Sequence, residues 1–117
     1  MNTTPASAKW SKITQDKDGN TIFNNFDRVR EHNGFVYYWT MISLKKVDPT
    51  EWRAVRSILN YDQGDCDIFR SKRLSHSALS EPNGFGSTVF EYSKPLGWKY
   101  PKPHSVEEIV LKSVYDR

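Results

Sequence analysis

Cysteine is almost missing from this chain. Cys66 stands alone among 117 residues, so no disulfide can form within it, although a small secreted domain usually carries an even number. No run of 18 or more apolar residues occurs, and the densest stretch, Phe35 to Leu44, is about half of what crosses a bilayer. Nothing here predicts a transmembrane segment. An excess of one charge is lacking too: 17 Lys and Arg against 14 Asp and Glu give a net +3. Residues 1–58 carry nine cations and six anions, and residues 59–117 carry eight of each, so there is no stripe of the kind that nucleic-acid binders display. Leu, Ile, Val and Phe number only 26 of 117, just above the roughly one fifth below which chains stay disordered. The 16 aromatic residues make up the deficit, since each ring buries far more area than a valine. One domain with an aromatic core is expected.

Read along the chain, the pattern is mostly strand. Residues 1–8 form a polar tail of small residues, and residues 9–117 a single domain. Ala6-Ser7-Ala8 has the form of a signal-peptidase site without the apolar region that should precede it, which leaves a simple tail or a trimmed start as readings. Trp10 to Thr14, a polar turn at Gln15-Asp16-Lys17-Asp18-Gly19-Asn20, and Thr21 to Phe26 read as a hairpin. His32-Asn33-Gly34 is a second turn. Beyond it, Phe35, Tyr37, Trp39 and Met41 share one face while Val36, Tyr38, Ile42 and Leu44 share the other. Both faces are apolar, which predicts a central strand covered on both sides. Trp52 to Tyr61 reads as a less covered strand, Asp62-Gln63-Gly64-Asp65 as a turn, and the alternation from Cys66 to about Leu79 as another strand. Thr88 to Tyr92 is a short final strand. Lys94 to Pro103 holds three prolines and must run extended. Ser105-Val106-Glu107-Glu108 has capping-box form, followed by a stripe of Val106, Ile109, Val110 and Val114 with Leu111 beside it. A helix this short needs an apolar surface to dock on.

Chemistry-bearing motifs are few. Asp16, Asp18 and Asn20 would open a calcium loop, but Thr21 replaces its glycine and Asp27 its bidentate glutamate; no metal is expected there. His32, His76 and His104 have no ligand spacing. Cys66 lies between Asp65 and Asp67, whose charges disfavour a thiolate. Ser75 and His76 are adjacent in a strand and so face opposite ways. Gly84-Phe85-Gly86 lacks the setting of a phosphate loop. No catalytic residues and no cofactor are assigned. The densest cationic group is Arg70, Lys72 and Arg73, with Arg53 and Arg56 on the preceding strand and Tyr37, Trp39, Trp52 and Phe69 near in sequence. Such a mixture can stack single-stranded nucleic acid, but Asp62, Asp65 and Asp67 beside it favour a solvated face or an acidic protein or glycan partner.

Several ordered elements together resemble the bacterial surface-adhesin protein E family. They are Trp10; Asp18-Gly19 with Ile22-Phe23; Gly34 leading to Tyr38-Trp39; Asp65-Cys66; Ser80-Glu81-Pro82-Asn83-Gly84-Phe85-Gly86; and Trp98-Lys99-Tyr100-Pro101-Lys102-Pro103-His104-Ser105 joined to Glu108 through Val114. The resemblance implies an α+β fold, a curved antiparallel sheet of about six strands with one C-terminal helix docked on a face. It also implies export behind a leader and binding of host matrix and plasma proteins, with homodimers in some members. Members typically tie sheet to helix by a disulfide from the cysteine matching Cys66; the second position here is Tyr115.

The function expected is therefore a non-enzymatic, exported bacterial binding domain that recognises a protein or glycan partner. Its contact surface is expected to comprise Arg70, Lys72, Arg73, Lys99 and Lys102. Alternatives are a small-ligand carrier, holding heme or lipid on the concave aromatic face, and a domain with a structural role; nucleic acid ranks below these. Localisation is expected to be periplasmic or cell-surface if a leader precedes Met1, and cytoplasmic otherwise.

Overall fold

The computed structural model describes residues 9–48 and 54–115; the expected tail at residues 1–8, together with Trp52 and Arg53, lies outside them. In chain order the elements are β1 (Ser11–Gln15), β2 (Thr21–Asn24), β3 (Arg30–His32), β4 (Phe35–Asp48), β5 (Val55–Asp65), β6 (Arg70–Leu79), β7 (Thr88–Tyr92) and α1 (Val106–Tyr115). Every strand pair is antiparallel, in the order β1-β2-β4-β5-β6-β7, and β3 shares with β2 one edge of β4. This is the expected α+β class. The strand beyond six is β3, three exposed residues pairing Arg30 with Tyr37 and His32 with Phe35, too short and too polar to stand out as a strand in the sequence.

The two early turns form for the reasons their residues suggest. In the first, Asp16 Oδ1 accepts from the backbone N–H of Asp18 and of Asn20, and Asp16 Oδ2 accepts from Asn20 Nδ2, all at 2.9 Å. The carboxylate of the would-be calcium loop is thus taken up in closing its own turn. In the second, Asn33 and Gly34 both take positive φ, 53° and 84°, as a tight hairpin between twisted strands requires.

β4 is central and covered on both sides, as its alternation predicts. Val36 and Tyr38 are buried with Ile22, Val110, Leu111 and Val114 beneath α1, and Met41 is buried on the opposite face with Leu59 and Leu79. The second face is roofed at one end by the turn after β6. Ser57, fully buried, donates to the Glu81 carbonyl at 2.6 Å and accepts from Gly84 N–H at 3.0 Å, which pins that turn over Met41 and Leu59.

Two expectations fail at β5. Its mixed faces suggest a less covered strand, yet β5 lies between β4 and β6 and is buried along most of its length, because Ser57 and Asp62 each have a partner there. Residues 62–65, read as a turn, are its last four residues, and the chain reverses at Cys66–Phe69 instead. Gly64 is a strand glycine at a point of close approach: a Cβ there would meet Leu111 Cδ1 at 2.8 Å and Val36 Cγ1 at 3.0 Å. The real turn is held by Asp65 Oδ1, which accepts from the N–H groups of Asp67 and Ile68 at 3.2 Å.

The helix starts where the capping box places it. Glu108 N–H donates to Ser105 Oγ at 3.1 Å, while the Glu108 carboxylate accepts from His104 N–H at 3.0 Å, one residue upstream of the textual pattern. Val106, Val110, Leu111 and Val114 face the sheet; Ile109, expected in the stripe, is exposed and Leu111 is the fully buried residue. Steps of about 100° per residue place 106, 110, 114 and 111 on one arc and 109 well off it. A buried polar relay fixes the helix in register: Thr40 donates to Asn24 Oδ1 at 2.9 Å, Asn24 Nδ2 donates to Ser113 Oγ at 2.6 Å, and Ser113 donates to the Val110 carbonyl at 2.6 Å.

Candidate functional site

The arm after β7 is extended, as its prolines demand, but it does not hang in solvent. β7 covers the His76–Leu79 part of the β6 edge. The chain then continues along the same edge: Leu96 N–H donates to the Arg73 carbonyl at 2.9 Å, and Ser71 and Lys99 exchange backbone bonds at 2.9 and 2.8 Å. Because successive side chains on such a segment point to opposite faces, Trp98 is delivered to the open face of the sheet and Lys99 to the face that carries α1. The arm is the divide between two surfaces.

On the open face Trp98 is the hub. The Arg70 guanidinium lies 4.2 Å from its ring centroid, Lys72 Nζ lies 5.0 Å from it, and Phe35 stacks at 5.7 Å. Further along, Tyr61 meets Trp39 in a tilted contact at 4.7 Å and stacks with Tyr37 at 6.4 Å. These rings are half-buried, so each keeps part of its surface toward solvent. A cation over an indole is worth about 0.5–1 kcal/mol at such a site. Arg70 is also steadied by Asp65, its Nε donating to Oδ2 at 3.0 Å.

Asp65 thereby collects two backbone donors and a guanidinium. Burial works against its charge, but the Ile68 N–H and Arg70 outweigh that and hold the carboxyl below its usual value. A carboxyl whose folded pKa is depressed contributes stability above the unfolded value of about 3.9, and that contribution is lost as pH falls through the folded value. Thermal unfolding followed between about pH 2 and pH 5 is therefore expected to show a steep acid limb, and Asp65→Asn is expected to flatten it while keeping the turn. Asp16, depressed in the same sense despite its own desolvation, by its bonds to Asn20, Asp18 and Gly19, leaves a residual slope.

On the other flank a crevice of about 350 Å³ opens between the arm and the start of α1, bounded by Asp62, Ser71, Arg73, Lys99, Tyr100 and Glu107. A smaller lobe of about 100 Å³ runs beneath the helix past Thr40, Asn60 and Val110, sharing Asp62, Ser71, Arg73 and Glu107 with the crevice. Arg73 grips Asp62 with two bonds, Nε to Oδ1 at 2.9 Å and Nη2 to Oδ2 at 3.1 Å. Asp62 outweighs the burial that would otherwise weaken the Arg73 charge. Burial, with Asp62 beside it, pushes the Tyr38 hydroxyl far above the ordinary phenol range, so it remains a donor.

The five cations named from the sequence thus fall into two sets. Arg70 and Lys72 stand over Trp98 on the open face; Arg73, Lys99 and Lys102 bound the crevice. Ser75 and His76 sit opposite Tyr61 and Asn60 and face opposite ways. The residues that sequence reasoning missed are Trp98 as the centre of the cationic group, Tyr61 as the link in the ring lane, and Asn60. Only the Trp98 tie had a signal, the three prolines that force the arm straight; which strand it would lie against had none.

The family model described as Surface-adhesin protein E matches residues 10–114. Among solved structures, Haemophilus influenzae protein E is similar at 16% identity and a TM-score of 0.72, over 98% of this chain and 91% of that one. Its second crystal form gives 16% and 0.73, with 94% of that chain covered. The protein from non-typeable Haemophilus influenzae gives 16% and 0.64, with 98% of this chain and 79% of that one covered. At this identity the likeness is one of fold. No curated protein matches the sequence.

Proposed function

Because the chain belongs to the surface-adhesin protein E family, whose domain is an adhesin-like binding domain, we propose that it acts as an exported, non-enzymatic module that holds a protein or glycan partner on its open sheet face. The observation that carries this reading is the contiguous lane of half-buried rings, Trp39, Tyr61 and Tyr37, alongside Phe35 and Trp98 with Arg70 and Lys72 above the indole. Aromatic and arginine side chains are the usual anchors of binding surfaces. The lane is partly exposed along several strands, which suits an extended partner carrying acidic groups, and Lys72 has no ion pair among the described residues.

The test uses the whole chain against an immobilised panel of extracellular-matrix and plasma proteins and acidic glycans, with Lys72→Glu and Trp98→Ala as variants and circular dichroism as the folding control. At least one panel member is expected to bind. Each variant is expected to weaken it roughly tenfold or more, and Lys72→Glu to weaken its salt dependence as well. Arg70 is avoided as a first target because reversing it would set two carboxylates against each other at Asp65. Unchanged affinity in both variants, or no binding to any panel member, would overturn the proposal.

A further inference from the structure

We infer that the crevice between the arm and α1 is a second binding site, for a small carboxylate that also carries a hydrogen-bond donor, an amino or hydroxyl group, at its other end. It lies across the arm from the ring lane and does not depend on that surface. Lys99 and Lys102 bound the outer crevice, and neither has an ion pair among the described residues. Arg73 backs them from the floor. These groups favour an anion.

The inner lobe asks for the opposite. Asn60 is 2% exposed and lines this lobe, yet its side-chain oxygen Oδ1 has no hydrogen-bond partner. A buried acceptor left unpaired costs about 1–3 kcal/mol, so a donor brought to it is rewarded. Asp62 already accepts one bond from Arg73 on each oxygen, whereas Asn60 Oδ1 accepts none, and Glu107 at the junction of the two spaces adds a carboxylate toward which a donor is drawn. Ile22, Tyr38, Thr40, Ile42, Val106 and Val110 form the rest of the lobe wall. A ligand with its anionic end at the lysines and its donor at Asn60 satisfies both halves at once; a simple anion satisfies one. The combined space suits a molecule of roughly the size of an amino acid or a single sugar acid.

The experiment is a titration of the ¹⁵N-labelled chain with 4-aminobutyrate, whose amino group stands at the far end from its carboxylate, with D-glucuronate, and with acetate as the probe that has a carboxylate and no donor. Saturable shifts at Ser71, Gly97, Lys99 and the Asn60 side-chain amide are expected for 4-aminobutyrate or for glucuronate, and whichever saturates first identifies an amino acid or a sugar acid as the source. Acetate is expected to bind roughly tenfold more weakly. Asn60→Leu, which fills the lobe without a polar atom, is expected to erase the advantage of the donor-bearing probe over acetate. Lys99→Glu is expected to weaken all three probes. Equal response to all three, or no saturable response, overturns the inference, as does an unchanged preference in Asn60→Leu. Lys72→Glu and Trp98→Ala should leave these titrations intact, so the two surfaces fail or succeed separately.

Discussion

Gly64→Val is expected to destabilise the fold by about 3 kcal/mol, at the upper end of what overpacking a well-filled core costs. The position is inside β5, with the Leu111 side chain of α1 against it. A Cβ alone would stand 2.8 Å from Leu111 Cδ1, 3.0 Å from Val36 Cγ1 and 3.2 Å from Tyr38 Cε1. The end of Leu111 can swing away from one added methyl, which makes Gly64→Ala the mild variant. Two further methyls cannot be absorbed on three sides, because Leu111 and Tyr38 are both essentially without solvent exposure, and the helix must lift. Urea unfolding measures the loss. The same change made with Leu111→Ala is expected to cost less than the two single effects summed, since each relieves the other. Full additivity, or a Gly64→Val chain as stable as the parent, would mean that the helix does not bear on this glycine.

Arg73→Leu is the second large effect, also about 3 kcal/mol. Asp62 keeps only 8% of its side-chain surface exposed, and removing the guanidinium strands a carboxylate where water reaches it poorly. Breaking a buried pair from one side costs about 3–5 kcal/mol, and the lower end applies because the Arg73 side chain is 37% exposed and solvent can follow it in. Replacing both partners with leucine is expected to recover most of the loss, because an apolar pair leaves no stranded charge. If the double variant were as unstable as the single one, the penalty would lie in packing around Arg73 and not in the orphaned charge.

The contrast between Arg73 and its neighbours also shows what could be read in advance. The alternation along β6 already assigns Arg70 and Lys72 to one face and Arg73 to the other, yet nearness in sequence groups all three. Which face meets the helix and which meets the rings depends on pairing with β5 and with the arm, and pairing partners leave no local mark. The hairpin before β2, the Asn33-Gly34 turn, β4, β7 and the helix cap were legible because each is decided by its own few residues: positive φ at Asn33 and Gly34, alternation from Phe35, a hydroxyl at Ser105 with a carboxylate at Glu108. Gly64 was misread for the converse reason. Its glycine answers to Leu111, far along the chain, whereas Phe69, which takes φ 60° in the actual turn, is a residue type that seldom marks one. Asn60 belongs to the same class, since a buried asparagine with one empty acceptor looks in sequence like any polar residue on a strand.

The run of β7 and the arm along one edge of β6 has a consequence for crowded conditions. An open sheet ends in a row of unpaired amides that another chain could copy itself onto. Here the row past Ser93 is laid down by a segment that pairs with β6 from Leu96 to Lys99 and in which Pro95 carries no N–H, so a newcomer finds a broken set of donors there. Along that stretch, though not along β7, copying by another chain is weakened.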